Sequence, residues 1–306
     1  MAMIESPFHS DEKEAQLRAG QIRTGASIRG FMPDQHREFF GLLPYVFVAT
    51  ADESGWPLAT MLGARSGFIH SSDPVTLRFD TTAASSDPII PSLIAGQDIG
   101  ILGIDLSTRR RNRANGHIAH IDDAGFTVKI HQSFGNCAKY IQRREAHPTR
   151  RTSGGLEAFY SLDSAARAQI SKADTIFVAS RSRAGLSHHA GMDMSHRGGR
   201  PGFIRTVGNI LMVPDFGGNR YYNTLGNFLG EPRGSVLLID FDSGDLLQLQ
   251  GLVTIHWNDQ VELEGAERWW SFEVTSGWRR RGACPFEWSF IDYSPATLRT
   301  GIWAQL

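Results

Sequence analysis

Two stretches of the sequence gather the residue types that hold a phosphate. Ser195-His196-Arg197-Gly198-Gly199-Arg200 sets a hydroxyl, an imidazole and two guanidiniums beside glycines that let a ligand come close to the backbone. Further on, Arg220-Tyr221-Tyr222-Asn223-Thr224-Leu225-Gly226-Asn227 adds another fork-shaped cation, two aromatic rings and several short polar side chains. Either string alone reads equally as a polar surface loop with solvated arginines. Together they suit a phosphorylated, planar ligand.

A third group lies between Arg109 and Gln142. Arg109, Arg110, Arg111 and Arg113 make a charge run, for which a solvated face is the expectation. Ser133-Phe134-Gly135-Asn136-Cys137-Ala138-Lys139-Tyr140-Ile141-Gln142 follows a strand-like segment and has the mixed composition of a binding loop. Cys137 would need a positioned base to act as a nucleophile, and a structural thiol is the simpler reading.

Other chemistries find no support. There is no Gly-x-Gly and no Gly-Lys-Ser/Thr, which excludes a dinucleotide fingerprint and a phosphate-binding P-loop at sequence level. His188, His189, Asp193 and His196 are interrupted by Gly191, so they are read as part of the ligand loop and no metal is assigned. Two cysteines, Cys137 and Cys284, are too few for a disulfide framework and point to a reducing, cytoplasmic setting. A net charge of -1 gives no field for nucleic acid or an anionic membrane. The start of the chain carries acids where an export signal needs a basic and apolar run, and no apolar stretch approaches the roughly 20 residues of a membrane span.

The elements that must position these residues are organised by an internal repeat. Gly63-Ala64-Arg65-Ser66-Gly67-Phe68 is answered by Gly198 to Phe203, Ile99 to Asp105 by Gly234 to Asp240, and Asn115-Gly116 by Gln250-Gly251, all at an offset of 135. Phe47-Val48-Ala49-Thr50 matches Phe177-Val178-Ala179-Ser180 at an offset of 130. Each copy consists of short Val/Ile/Phe/Thr-rich runs punctuated by Gly, Asp, Asn and Pro, the pattern of strands closing into a barrel. Helices are expected only at the joints: Asp11 to Arg18, Asp34 to Phe40 stopped by Gly41, and Asp163 to Lys172. The expected fold is mainly β with peripheral helices, as tandem split β-barrels. The expected division is an arm over 1–30, a first barrel over 31–145, a linker over 146–172, a second barrel over 173–258 and an extension over 259–306. The first copy has Thr81 to Asp87 where the second has Arg220 to Asn227, so one phosphate site per chain is expected.

Phe8-His9 with Glu12, Arg109 to Gly116, Gln132 to Gln142, Asp193 to Gly199 and Arg220 to Asn227 resemble, over nearly the whole chain, the pyridoxamine 5'-phosphate oxidase-related FMN-binding split-barrel proteins in their long two-barrel form. Ala138 and Leu58 depart from the pattern of that family. The resemblance implies a flavoprotein with FMN between two barrels, here an intra-chain pseudo-dimer, with further homodimerisation left open. It implies Ser195, Arg197, Arg220, Asn223 and Thr224 at the phosphate and ribityl chain, His196 against either, the Gly198-Gly199 backbone beside them, and Phe203 and Asn227 nearer the ring. Ser133, Asn136 and Lys139 would come from the first barrel. The implied activity is oxidoreductase chemistry through flavin N5, with neither the substrate nor the redox partner specified by any stretch. Two alternatives stay open: a non-enzymatic flavin- or haem-binding module, the latter using histidines such as His117, His120 and His131, and a pyridoxamine/pyridoxine 5'-phosphate oxidase with Arg279, Arg280 and Arg281 as a second anion site.

Overall fold

A computed structural model describes residues 6–23, 25–149, 151, 153–186, 190–257, 259 and 263–303. The logic of the fold is visible in its first strand, β1 (Tyr45–Ala51), which reads Tyr-Val-Phe-Val-Ala-Thr-Ala and is buried along its whole length. Val46 and Val48 point into one apolar cluster, while Tyr45, Phe47, Ala49 and Ala51 point into another. Alternate side chains of a strand face opposite ways, so a strand between two apolar layers carries no polar face.

The first half contributes β1, β2 (Pro57–Gly63), β3 (Ile69–His70), β4 (Thr76–Phe79), β5 (Asp98–Asp105), β6 (Arg110–Asp122) and β7 (Gly125–Gly135). They form one antiparallel sheet in the order β2-β1-β5-β6-β7-β4-β3. After β8 (Arg143–Pro148) and β9 (Leu156–Phe159), the second half contributes β10 (Thr175–Arg181), β11 (Met192–Gly198), β12 (Arg205–Val207), β13 (Ile210–Phe216), β14 (Arg233–Ile239), β15 (Leu246–His256) and β16 (Ala266–Arg280). Their order, β11-β10-β14-β15-β16-β13-β12, is that of the first sheet strand for strand. A β-bulge between Asn115 and Gly116 recurs between Gln250 and Gly251, at the offset read in the sequence. β17 (Phe286–Asp292) pairs with β8 and closes the chain back onto the middle.

Each sheet curls around its own core, one containing Val46, Leu77 and Val128 and the other Val178, Leu211 and Trp270. A third cluster lies between the sheets, where Phe47 stacks on its own counterpart Phe177 with ring centroids 3.5 Å apart. A residue meets its own equivalent only on a two-fold axis, so the halves are related by a pseudo-two-fold through this pair.

The helices are α1 (Ser10–Arg18), α2 (Asp34–Leu42), α3 (Ser164–Lys172) and α4 (Asn223–Gly230). Three agree closely with expectation, with Asp163 capping α3 through the Ala166 N–H, while Gly41 lies inside α2 rather than ending it. α4 corrects the view that helices occupy only the joints. It sits within the second half, where Gly226 lets α1 pack so closely that a Cβ there would lie 2.6 Å from the Glu12 Cα. Among the described residues no helix is long and apolar enough to cross a membrane.

Two boundaries also change. β16 lies between β15 and β13, so the second sheet runs to Arg280 and 259–306 is not an appendage. The segment 146–172 holds more than a linker: β8 and β9 recruit their hydrogen bonds from β17 and β16, distant in sequence.

Candidate functional site

The registers of β6 and β11 bring the three candidate stretches together. Arg111 and Arg113, two residues apart on β6, turn to the same side of the first sheet and meet β11 of the second. For these two this corrects the expectation of a solvated face, while Arg110 is exposed as expected. Arg113 is buried and gives one guanidinium nitrogen to both Asp193 oxygens at 2.8 Å, with the Asn115 amide on the same carboxylate at 3.3 Å. Arg111 donates through Nε to the Cys137 carbonyl at 2.9 Å and through Nη1 to His196 Nδ1 at 3.2 Å.

Between the halves lies a cavity of about 80 Å³. That is room for two or three waters at roughly 30 Å³ each, or for one oxyanion; a larger ligand must extend through the mouth. Its wall includes Arg111, Arg113, Lys139, Arg197 and Arg220 against the carboxylates of Asp215 and Glu267, an excess of positive charge. Asn136, Tyr140, His196, Gly198, Tyr222, Asn223 and Thr224 complete the part that concerns a ligand. α4 points its N-terminus into this cavity, and Tyr222, its N-cap residue, supplies no side-chain cap. An uncapped helix start presents free N–H groups and the positive end of the helix dipole to an anion.

Two further features mark the place. Of the four non-glycine residues with positive φ among the described residues, Tyr140, Arg220 and Tyr222 all line this cavity, at φ 63°, 62° and 61°. Bulky side chains adopt the left-handed region only at a cost, and such strain collects at functional sites. Five buried polar atoms of the wall also lack any partner: Arg113 Nε, Asn136 Nδ2, His196 Nε2, Arg197 Nε and Tyr222 Oη. An arginine can only donate, so His196 Nδ1 accepts from Arg111 and its ring proton sits on Nε2. Burial, and then the charges of Arg111 and Arg197, hold the His196 imidazole well below its ordinary pKa, so it stays neutral. Burial also lowers Arg111, to about 10, leaving it charged at neutral pH. All five orphans can therefore donate, and they suit a ligand rich in acceptors.

The loop carrying Asn136 to Tyr140 is fixed to the second half. Asn219 Nδ2 donates to Asn136 Oδ1 at 2.7 Å, and both Lys139 Nζ and Tyr140 Oη donate to the Gly217 carbonyl, at 3.4 and 3.1 Å. Gln142, fully buried, reaches the carbonyls of Tyr140 and Gly199 at 3.2 Å and receives the Ser294 N–H at 3.0 Å.

Of the residues expected at the site, His196, Arg197, Gly198, Arg220, Asn223, Thr224, Asn136 and Lys139 line the cavity. Arg197 is already paired with Asp215 at 2.7 Å, while Asp215 also holds Arg268 at 2.6 Å. Ser195 stands behind the wall and receives the Thr224 hydroxyl at 3.0 Å. Gly199 is structural, donating its N–H to the Asp174 carbonyl at 3.0 Å. Three placements are corrected. Phe203 is fully buried in the second-half core, packed on Gly199 where a Cβ would collide with it. Ser133 is fully buried, with its hydroxyl 2.7 Å from His36 Nδ1. Asn227 lies along α4 on the side of α1, bonded to His9 Nε2 and Ser180 Oγ at 3.0 Å.

The histidines and arginines of the alternative readings lie elsewhere. His117 and His131 bond to one another at 2.7 Å on the open end of β6 and β7. Arg279 pairs with Glu157 and Asp163, and Arg280 with Asp87, so neither offers a free anion site. His188 and His189 lie outside the described residues.

Sequence reasoning missed the outer wall. The chain from Phe8 to Arg23 lies over the loop that leads into α4: Glu12 accepts the Asn223 amide, Gln16 Nε2 donates to the Tyr221 carbonyl at 3.2 Å, and Arg23 donates to the Asn219 carbonyl at 3.0 Å. Burial raises the Glu12 carboxyl to about 8, so it is mostly protonated at neutral pH. A glutamate on the buried side of a short helix, Glu12, is the signal that could have revealed it.

No family model and no curated protein matches the chain. Among solved structures, an FAD-binding protein from Mesorhizobium loti is 9% identical with a TM-score of 0.27, covering 41% of this chain and 97% of that one. A protein from Bacteroides thetaiotaomicron, described under 5-nitroimidazole antibiotic resistance, is 10% identical with a TM-score of 0.27, covering 44% and 96%. The MrkH–c-di-GMP complex of K. pneumonia is 11% identical with a TM-score of 0.22, covering 85% and 88%. Likeness at this level is too low to carry a function over.

Proposed function

We propose that the chain is an FMN-dependent flavoprotein, an oxidoreductase working in the cytoplasm, that seats the phosphate of its cofactor in the cavity between its two halves. The observation that carries this reading is the set of five orphaned donors, in a wall with excess positive charge and an uncapped helix start. A ligand of several acceptor oxygens, which is what a phosphate is, satisfies the cationic and hydroxyl donors of such a wall. The choice of FMN among phosphorylated ligands is supported by the resemblance of the strings Asp193 to Gly199 and Arg220 to Asn227.

In this reading Arg220, the N–H groups opening α4 and the Tyr222 hydroxyl hold the phosphate. Arg197, anchored by Asp215, adds one fixed positive charge and an inward Nε–H. His196, neutral and with its proton on Nε2, and Asn136 donate to uncharged acceptors. When bound, the flavin supplies hydride or electron transfer at N5. The chain supplies both walls, so the site needs no second subunit.

The absorption spectrum of the purified protein tests this. Flavin bands with one FMN per chain, lost in Arg220→Ala, are expected. A Soret band, or FMN retained in full by both Arg197→Ala and Arg220→Ala, would overturn it.

A further inference from the structure

The pseudo-two-fold that lays Phe47 on Phe177 maps the cavity onto a second place in the molecule. Following the strand registers, Ser195 corresponds to Thr60, Arg113 to Gln248 and Asn136 to Arg280. At the cavity, Ser195 of the second half anchors the cavity residue Thr224, and Arg113 and Asn136 of the first half line the cavity themselves. Their three counterparts converge as well, but on a side chain of the protein. The Thr60 hydroxyl donates to Asp87, Gln248 Nε2 donates to Asp87 Oδ1 at 3.1 Å, and Arg280 Nη1 donates to Asp87 Oδ2 at 2.6 Å. All four residues are 3% exposed or less. Asp87 arrives from the segment after β4, the counterpart in the chain of the segment after β13 that leads into α4.

We propose that Thr60, Gln248 and Arg280 form a second, latent anion site, kept shut by the Asp87 carboxylate as its resident ligand. The pseudo-symmetry offers two such sites, and Asp87 reduces them to one. A carboxylate accepts from a hydroxyl, an amide and a guanidinium as a bound oxyanion would. Arg280 Nε still lacks a partner, as does the acceptor Gln248 Oε1, so Asp87 leaves one donor of the cluster unused. The site would take a small oxyanion of the carboxylate class once the carboxylate of Asp87 is gone, because Arg280 would then be a buried cation without its counter-charge. This inference does not rest on the flavin reading, since its donors are not those of the cavity.

The test is chemical rescue with formate. Asp87 also caps the following turn through the Ile89 N–H, so Asp87→Ser, which keeps a capping oxygen, is used beside Asp87→Ala. Both variants are expected to melt below the parent. In about 0.1 M sodium formate their Tm should rise by roughly 2–4 °C more than in sodium chloride of equal strength. The parent and Asp87→Ala/Arg280→Met should show no such difference between the salts. Equal responses to formate and chloride in both single variants overturn the proposal. If neither variant folds in plain buffer, recovery of monomer on refolding in formate and not in chloride supports it, and equal recovery overturns it.

Discussion

Replacing Tyr222 by Phe separates a residue kept for a ligand from one kept for the fold. Its ring lies under the Arg268 guanidinium at 5.1 Å, a contact that phenylalanine keeps, whereas its buried hydroxyl, beside a guanidinium that can only donate, has no acceptor for its proton. Burial pushes the Tyr222 phenol up from its ordinary pKa, so at neutral pH it is a donor. Removing an unpaired buried hydroxyl without changing shape costs nothing and stabilises by up to about 1 kcal/mol. The apoprotein should therefore melt at the parent temperature or up to roughly 2 °C above it. A hydroxyl donating to a charged oxygen contributes about 1.5–3 kcal/mol, so FMN should bind Tyr222→Phe about 10- to 150-fold more weakly. Calorimetric titration and a melting curve of the same preparation read both numbers. An apoprotein destabilised by more than about 1 kcal/mol with unchanged FMN affinity would refute the reasoning, because the hydroxyl would then be serving the fold.

Arg113→Met leaves Asp193 buried between the halves without its counter-charge, and should lower stability by about 3–5 kcal/mol, measured by urea unfolding. Phe47→Ala removes half of the ring stack on the pseudo-two-fold and should cost about 3–5 kcal/mol in the same assay. Arg220 is 43% exposed at its side chain, so Arg220→Ala should move stability by less than about 0.5 kcal/mol while releasing FMN. Glu12 carries a proton in the folded state up to about pH 8, against 4.5 for an ordinary glutamate. The folded chain thus holds one more proton across that window, and the stability from this group falls as pH rises from 4.5 to 8, by at most about 5 kcal/mol. Comparing the parent with Glu12→Gln from pH 5 to 9 checks this, the variant losing that part of the slope.

The repeat was legible because duplicated strands keep their apolar runs and bulges, and Asn115-Gly116 and Gln250-Gly251 hold their places 135 residues apart. α4 was not, since Gly226 and Gly230 read as breakers while the reason for Gly226 lies in α1, far away in sequence. β16 was hidden for a related reason: Trp269, Trp270 and Trp278 announce burial but not a pairing partner, and β13 and β15 are reached only through the fold. At the site, the cations and short polar residues gave their chemistry away. Phe203 and Ser133 share strings with cavity residues, yet Phe203 follows the turn after β11 into the second-half core and Ser133 on β7 faces His36 of α2. The Arg109 to Arg113 run misled because its charge suggested water, whereas Asp193 on the opposite half compensates Arg113 in the interior.

The central claim is that the cavity between the halves holds a phosphate. Titrating the apoprotein with FMN and with riboflavin, which differ only in that group, tests it most directly. FMN is expected to bind one per chain, at least about 100-fold more tightly than riboflavin, as two or more charge-assisted hydrogen bonds require. Equal affinities for the two, or no binding of either, would contradict it.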